Sequence, residues 1–199
     1  MVRRVVVQLM RHEKTAGNVA RKYVGQTDDP IVPIDREPVT EAAFTVYGST
    51  LQRCRQTAKL YFPNAVYVAD ARLCELHFGD FEMKTYDELQ DDACYRAWID
   101  DPMNVTPPNG EAFSQFTARV RHAIDDIVSQ NGQYVFVVHG GVIRYMQELC
   151  GVATFQQATA THDTLYTFTW DTIEQLKEGA PCTSFSEGRI TAKQLMLNS

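Results

Sequence analysis

Two short apolar runs, each ending in a histidine and each followed by a helix signal, constrain this chain more than any other feature. The first is Val5-Val6-Val7-Gln8-Leu9, continuing through Met10-Arg11-His12-Glu13-Lys14-Thr15. The second, Gln133 to Val138, ends in His139-Gly140-Gly141. Brief β-branched runs bounded by charge or glycine predict strands buried on both faces. After the second run, Val142, Tyr145, Met146 and Leu149 recur at helical spacing; after the first, a helix is expected from Thr15 to Tyr23. In open α/β sheets, ligands gather at the carboxyl ends of the strands, and helix N-termini arriving there offer free N–H groups to anions. Neighbouring strands lie about 4.8 Å apart, so adjacency of these two would set His12 and His139 above one edge. An arginine beside an imidazole at that place points to an anion of the phosphate type.

The rest of the chain fills in around these corners. Gly25 to Asp35 reads as irregular, and only Glu37 to Ala43 remains for a helix before a strand at Phe44–Tyr47. Ser49 with Gln52 three residues on is a capping-box pattern, which opens a helix with Leu51, Cys54, Ala58 and Tyr61 on its apolar face. Arg53 then falls in the first turn, where a cation opposes the helix dipole unless an anion sits between them. Ala65–Val68 predicts a short strand, and Glu75 follows in a loop. One helix is expected over Glu82–Asp100, with Leu89, Ala93 and Ala97 or Trp98 facing inward. A proline-rich loop, Pro102 to Gly110, precedes a helix over Phe113–Gln130. Thr164 to Trp170 predicts a strand, Asp171 to Gly188 a polar connection, and Arg189 to Met196 a last strand.

Composition sets outer bounds. At 199 residues, with 44% hydrophobic and 22% charged, the chain fits one domain over 1–199 with a substantial core. A net charge of −6 argues against a nucleic-acid partner, which calls for a basic face. An anionic ligand would have to be drawn in by a local positive pocket. The cysteines Cys54, Cys74, Cys94, Cys150 and Cys182 are odd in number and form no CxxC pair, so neither a disulfide framework nor a zinc site is indicated. A cytoplasmic protein with reduced thiols is expected. No apolar run reaches membrane-spanning length, and no membrane partner is expected. The histidines lack ligand spacing, so no metal and no other cofactor is implied.

Arg11-His12-x-x-Thr15, with Asn18 six residues after the histidine, resembles the signature of the histidine phosphatase superfamily, the phosphoglycerate-mutase-like proteins. Ser49 to Ala58, with Arg53, is similar to that family's second motif, and Leu73 to Glu82 resembles the stretch that carries its acid, at Glu75. Pro107 to Glu111, Phe116 to Val120 and His139-Gly140-Gly141 complete the set in the family's order. The resemblance implies an α/β fold with three αβα layers around a mostly parallel sheet with an antiparallel edge. Within the family, Leu73 to Val120 is most similar to the α-ribazole phosphatases of the cobalamin pathway.

The chemistry implied is phosphoryl transfer. In flight the group spreads charge over its oxygens, so the protein chiefly positions and neutralises it. His12 would be the nucleophile, Glu75 the general acid, and Arg11, Arg53, Asn18, His139 and the Gly140 N–H the phosphate ligands, with His139 a third cation if protonated. The partner would be a small phosphorylated metabolite. Mutase transfer is an alternative, disfavoured because the run Leu76 to Asp80 offers only a histidine for a substrate carboxylate. A non-catalytic phosphate-binding protein is another, prompted by Glu13-Lys14 standing where the family pattern has Gly-Glu. Arg144, Arg55 and Lys84 are weaker candidates for substrate contact. The family's helix is shortened near Glu37, and an uncovered sheet face there would favour a homodimer.

Overall fold

The structure is a computed structural model that describes residues 4–195. One six-stranded sheet runs in the order β3-β2-β4-β1-β5-β6. Its strands are β1 (Val5–Arg11), β2 (Thr45–Gly48), β3 (Val66–Ala69), β4 (Gly132–Val138), β5 (Thr164–Trp170) and β6 (Ser184–Arg189). β1, β2, β3 and β4 are parallel, while β5 and β6 run antiparallel along one side. The helices are α1 (Ala16–Val19), α2 (Gln52–Tyr61), α3 (Tyr86–Leu89), α4 (Ala93–Asp100), α5 (Phe113–Ile127), α6 (Gly140–Leu149) and α7 (Ile173–Lys177).

Alternation along β1 and β4 builds the three layers. Val5, Val7 and Leu9 join Phe136 and Val138 under Phe116, Val120 and Ile124 of α5 and Val142, Ile143 and Met146 of α6. Met10, Val135 and Val137 face the other way, against Cys54, Ala58 and Tyr61 of α2. Strands covered on both faces read as unbroken apolar runs, which is why these two were visible. Gln8 is the exception in mid-strand. It is fully buried, donates to Thr167 Oγ1 and to the Gln194 carbonyl, and accepts from Gln133 Nε2. A buried amide is tolerated when its donors and acceptor are all met.

Several elements differ from their expected bounds. α1 is one turn rather than a helix to Tyr23: Arg21 takes a left-handed φ of 56°, and Lys22 leaves to bridge Thr85. The helix expected over Glu82–Asp100 is two, because Asp92 Oδ1 accepts from the amides of Cys94 and Tyr95 and so starts α4 afresh. Tyr95 and Trp98 face inward from α4, whereas Ala93 and Ala97 are exposed. Ser49 does not cap α2, which starts at Gln52 with Leu51 before it. That end is held instead by Asp28 Oδ1, which accepts from the Gln52 amide at 2.7 Å. Asp29 Oδ2 does the same for Gly17 in α1. The last strand is Ser184–Arg189, inside the stretch expected to be a connection. β6 is a polar edge strand with only one neighbour, so apolar patterning misses it. Of the expected strand over Arg189–Met196, residues 192–195 are turns that bury Leu195, and Met196 lies outside the described residues. Among the described residues no helix is long and apolar enough to cross a membrane.

Candidate active site

The register of β1 on β4 pairs Arg11 with Val138, so the next residue of each strand is a histidine. The His12 amide continues the ladder to the Val138 carbonyl at 3.0 Å. The two imidazole centroids lie 5.1 Å apart, edge to face. Two parallel neighbours of the sheet thus deliver both rings to one place.

Hydrogen-bond partners settle the ring states. His12 Nδ1 is 2.7 Å from the Glu13 carbonyl oxygen, which only accepts, so Nδ1 carries the proton and Nε2 keeps its lone pair. His12 retains 3% exposure, and its Nε2 has no partner yet is not sealed off. His139 Nδ1 receives Arg53 Nε–H at 3.3 Å, so its Nε2–H donates to Ser49 Oγ at 2.7 Å. Burial, then the nearby Arg53 and Arg11 cations, hold both imidazoles well below the ordinary histidine range. His139 is therefore a neutral ring with both nitrogens engaged inside the protein, not a third cation.

The two arginines are the unusual element. Arg53 is fully buried in the first turn of α2. It donates to His139 and to the carbonyls of Thr27 (2.8 Å) and Gly25 (2.5 Å). Arg11 donates from Nη1 to the Ala160 carbonyl at 2.9 Å, while its Nε is buried with no acceptor. Burial lowers the Arg11 pKa, and the opposing Glu75 charge pulls it back up. Among the described residues, no carboxylate lies within ion-pairing distance of either guanidinium. An uncompensated buried charge costs roughly 3–5 kcal/mol, an expense that an arriving oxyanion would remove.

Glu75 lines a cavity of about 430 Å³ together with Arg11, Gly140 and Gly141, while His12, Arg53 and His139 are not among its lining residues; the size suits a small ligand. Glu75 Oε1 accepts from the Leu76 amide at 3.0 Å and its Oε2 from the Gly141 amide at 2.9 Å. Arg119 of α5 sets the segment before it, donating to the carbonyls of Arg72, Cys74 and Glu75 and to Glu111. Glycine at 141 leaves room for the carboxylate: a Cβ there would make Glu75 Oε1 shift and would come within 3.2 Å of Phe116. Gly140 lies alongside, with a Cβ position 3.5 Å from the Arg11 guanidinium carbon.

Of the residues singled out from the sequence, Arg11, His12, Arg53, Glu75, His139 and Gly140 converge. Asn18 serves the turn of α1: its Oδ1 accepts from the Thr15 amide, and it does not line the cavity. Arg144 lines the cavity, whereas Arg55 sits over the Tyr67 ring. Patterning missed Ser49 as a partner of His139, and it missed His162. The His162 Nδ1–H donates to the His12 carbonyl at 2.7 Å, and its ring lies 5.9 Å from that of His12. Its signal was topological: an antiparallel β5 begins where β1 ends, so residues just before Thr164 reach the same edge. The cavity's apolar walls were missed as well. Tyr23, Phe78 and Trp98 stack edge to face on one side, and Phe113 meets Phe155 at 4.7 Å on the other.

Comparison with known proteins places this geometry in a class. The model of the histidine phosphatase superfamily (branch 1) matches residues 7–175, and the chain belongs to that family. An adenosylcobalamin/α-ribazole phosphatase of Salmonella typhimurium is 30% identical over 189 residues, covering 83% of this chain and 88% of the relative. A protein of Erwinia tasmaniensis named "Probable phosphoglycerate mutase GpmB" is 31% identical over 148 residues, covering 67% and 69%. In structure, the chain is similar to the α-ribazole phosphatase of Shigella flexneri, with a TM-score of 0.68 over 82% of this chain and 90% of that one. At 24% identity, that likeness shows the fold alone.

Two outcomes follow from the geometry. Gly141→Ala displaces Glu75 without touching His12 or the arginines, so turnover of a phosphomonoester should fall about 10²–10⁴-fold, the usual worth of general acid–base help. Phosphate affinity should change little; equal turnover in the variant would contradict the placement of the carboxylate. The second concerns pH. Burial pushes His162 down to about 4, and His12 and His139 are lowered too, so the folded state binds fewer protons than the unfolded one below about pH 6.5. The stability they contribute is full above that pH and is lost as pH falls through the window. The melting temperature should drop between pH 7 and 5, and less steeply in His162→Asn; identical slopes would contradict this.

Proposed function

We propose that this chain hydrolyses phosphomonoesters through a covalent phosphohistidine at His12. The observation that carries the reading is the pair of buried guanidinium groups without carboxylate partners, set beside an imidazole whose Nε2 lone pair is free. In the first step, Nε2 attacks phosphorus, the N–P bond forms, and the ester P–O bond breaks. The leaving alkoxide takes a proton from Glu75. In the second step Glu75 accepts a proton from water, whose oxygen bonds to phosphorus as the N–P bond breaks. Neutral imidazole needs no prior deprotonation, which is what burial beside two cations provides. Arg11 and Arg53 offer paired donors that match phosphate oxygens. The Gly140 N–H, at the start of α6, adds a neutral donor.

For the leaving group, the cavity offers aromatic walls and one further cation, Arg144. This supports a small ester bearing a flat apolar ring, and α-ribazole 5′-phosphate fits that description. The name of the similar Salmonella protein supports the same choice. A mutase reading finds less support. His77 accepts the Gly79 amide at Nδ1 and leans toward Glu82, so the run after Glu75 brings no cation to the cavity for a substrate carboxylate. Glu13, which prompted a non-catalytic reading, turns its carboxylate away from the site.

Rapid quenching of a reaction with ³²P-labelled phosphate ester should trap acid-labile, base-stable label on His12. His12→Ala should lose at least about 10³-fold in turnover. The specificity constant should be higher for α-ribazole 5′-phosphate than for 3-phosphoglycerate, with no 2-phosphoglycerate formed. Unchanged turnover in His12→Ala would refute the mechanism; 2-phosphoglycerate as main product would favour the mutase.

A further inference from the structure

Behind His12 lies a group of charges that the chemistry above does not use. Glu13 stands where the family pattern has glycine, and it is only 8% exposed. Its Oε1 accepts from Arg36 Nη1 at 3.1 Å and from the Tyr61 hydroxyl. Arg36 sits over the Tyr61 ring, 4.3 Å from its centroid, and donates to that hydroxyl at 2.8 Å. From its other nitrogen, Nη2, it reaches Asp163 Oδ1 at 2.5 Å. Arg36 comes from the irregular segment between α1 and β2, where the family's helix is missing.

One end of this clasp leads to the carbonyl that holds the imidazole, the other to the group that holds the His12 backbone. On one side, the Glu13 carbonyl receives His12 Nδ1–H, and the Glu13 amide donates to Thr57 Oγ1 at 2.8 Å. On the other, Asp163 takes a left-handed φ of 60° directly after His162, whose Nδ1–H donates to the His12 carbonyl. The turn that carries His12 and Glu13 is thus tied to the turn at His162–Asp163 twice, by the His162 ring on the His12 carbonyl and by the Arg36 guanidinium between the two carboxylates. The Glu13 side chain keeps just 10% exposure and that of Arg36 20%. Ion pairs in such settings contribute little net stability and are better suited to fixing geometry.

We propose that Arg36 is a positioning residue: by clasping Glu13 and Asp163 together, it fixes the turn whose Glu13 carbonyl orients the His12 imidazole for attack. It also neutralises a carboxylate that would otherwise stand beside a phosphate-binding turn. The inference rests on the phosphohistidine reading and adds to it a device specific to this chain. Small displacements of a reacting group cost rate steeply, so the clasp should act on turnover more than on binding.

The test is a double-mutant cycle on Glu13 and Arg36, read by steady-state kinetics with p-nitrophenyl phosphate and by ¹⁵N NMR of the His12 ring. Glu13→Gln keeps the shape and the Tyr61 bond; Arg36→Met removes both ends of the clasp. Each should lower kcat about tenfold, with KM within about threefold. The double variant should be no worse than the singles, because coupled partners are non-additive. Arg36→Lys should recover part of the loss, and it serves in place of Arg36→Met should that variant not fold. The NMR spectrum should show His12 protonated at Nδ1 in the wild type and a mixture of tautomers in the variants. Losses that multiply, or variants with wild-type kcat and an unchanged tautomer, would overturn the proposal. The spectrum needs no turnover, so a wild-type protein inert toward phosphate esters would end the phosphohistidine reading while the tautomer still decides the clasp.

Discussion

Two guanidinium groups held out of water without carboxylate partners are the constraint around which this molecule is arranged. Arg53 is wholly enclosed and satisfied only by carbonyls and an imidazole, and Arg11 keeps an unused donor. Such an arrangement subtracts from stability, so the surrounding fold must hold both side chains by other means. Two double-covered strands, the carbonyls of Gly25, Thr27 and Ala160, and the packing of α2 do so. Burial first, and then the positive field they create, keeps both neighbouring histidines neutral. On the proposed reading, one arrangement would thus set both the affinity of the site for an oxyanion and the nucleophilic form of His12.

The sheet supplies the convergence. Parallel pairing of β1 with β4 brings His12 and His139 together, and the antiparallel start of β5 adds His162 from a third direction. Glu75 is positioned differently. It hangs from a loop gripped by Arg119 of α5, and its carboxylate meets the first turn of α6 through the bare backbone of Gly141. Arg11 and Glu75 therefore reach the cavity on separate supports, one beside Gly140 and the other beside Gly141. If Glu75 is the proton donor, that separation lets it coexist with two cations without an ion pair to either.

Much of this was legible in the sequence, and the gaps have physical causes. Val5–Leu9, Gln133–Val138 and Thr164–Trp170 announced themselves because strands buried on both faces carry continuous apolar runs. Ser184–Arg189 did not, since an edge strand pairs through its backbone and can carry any polar side chain. Ser49 fitted a capping pattern, yet α2 is capped by Asp28, distant in sequence, and Ser49 is bound to His139. The histidines and arginines of the site were visible as motif residues at strand ends and helix starts. His162, Arg36 and the aromatic walls were not, because their roles arise from turns that meet only in three dimensions. Glu13 looked like a threat to anion binding on sequence grounds; the structure gives its charge a partner and turns it away.

The account stands or falls on whether those unpaired cations exist to receive a phosphoryl group beside His12. A crystal structure with orthovanadate, a mimic of phosphorus in flight, tests this most directly. The account predicts vanadium bonded to His12 Nε2, with its oxygens within about 3 Å of Arg11 Nε and the Arg53 guanidinium and a further oxygen facing Glu75. Vanadate bound elsewhere, or absent while Arg11 Nε finds a partner in the protein itself, would contradict it.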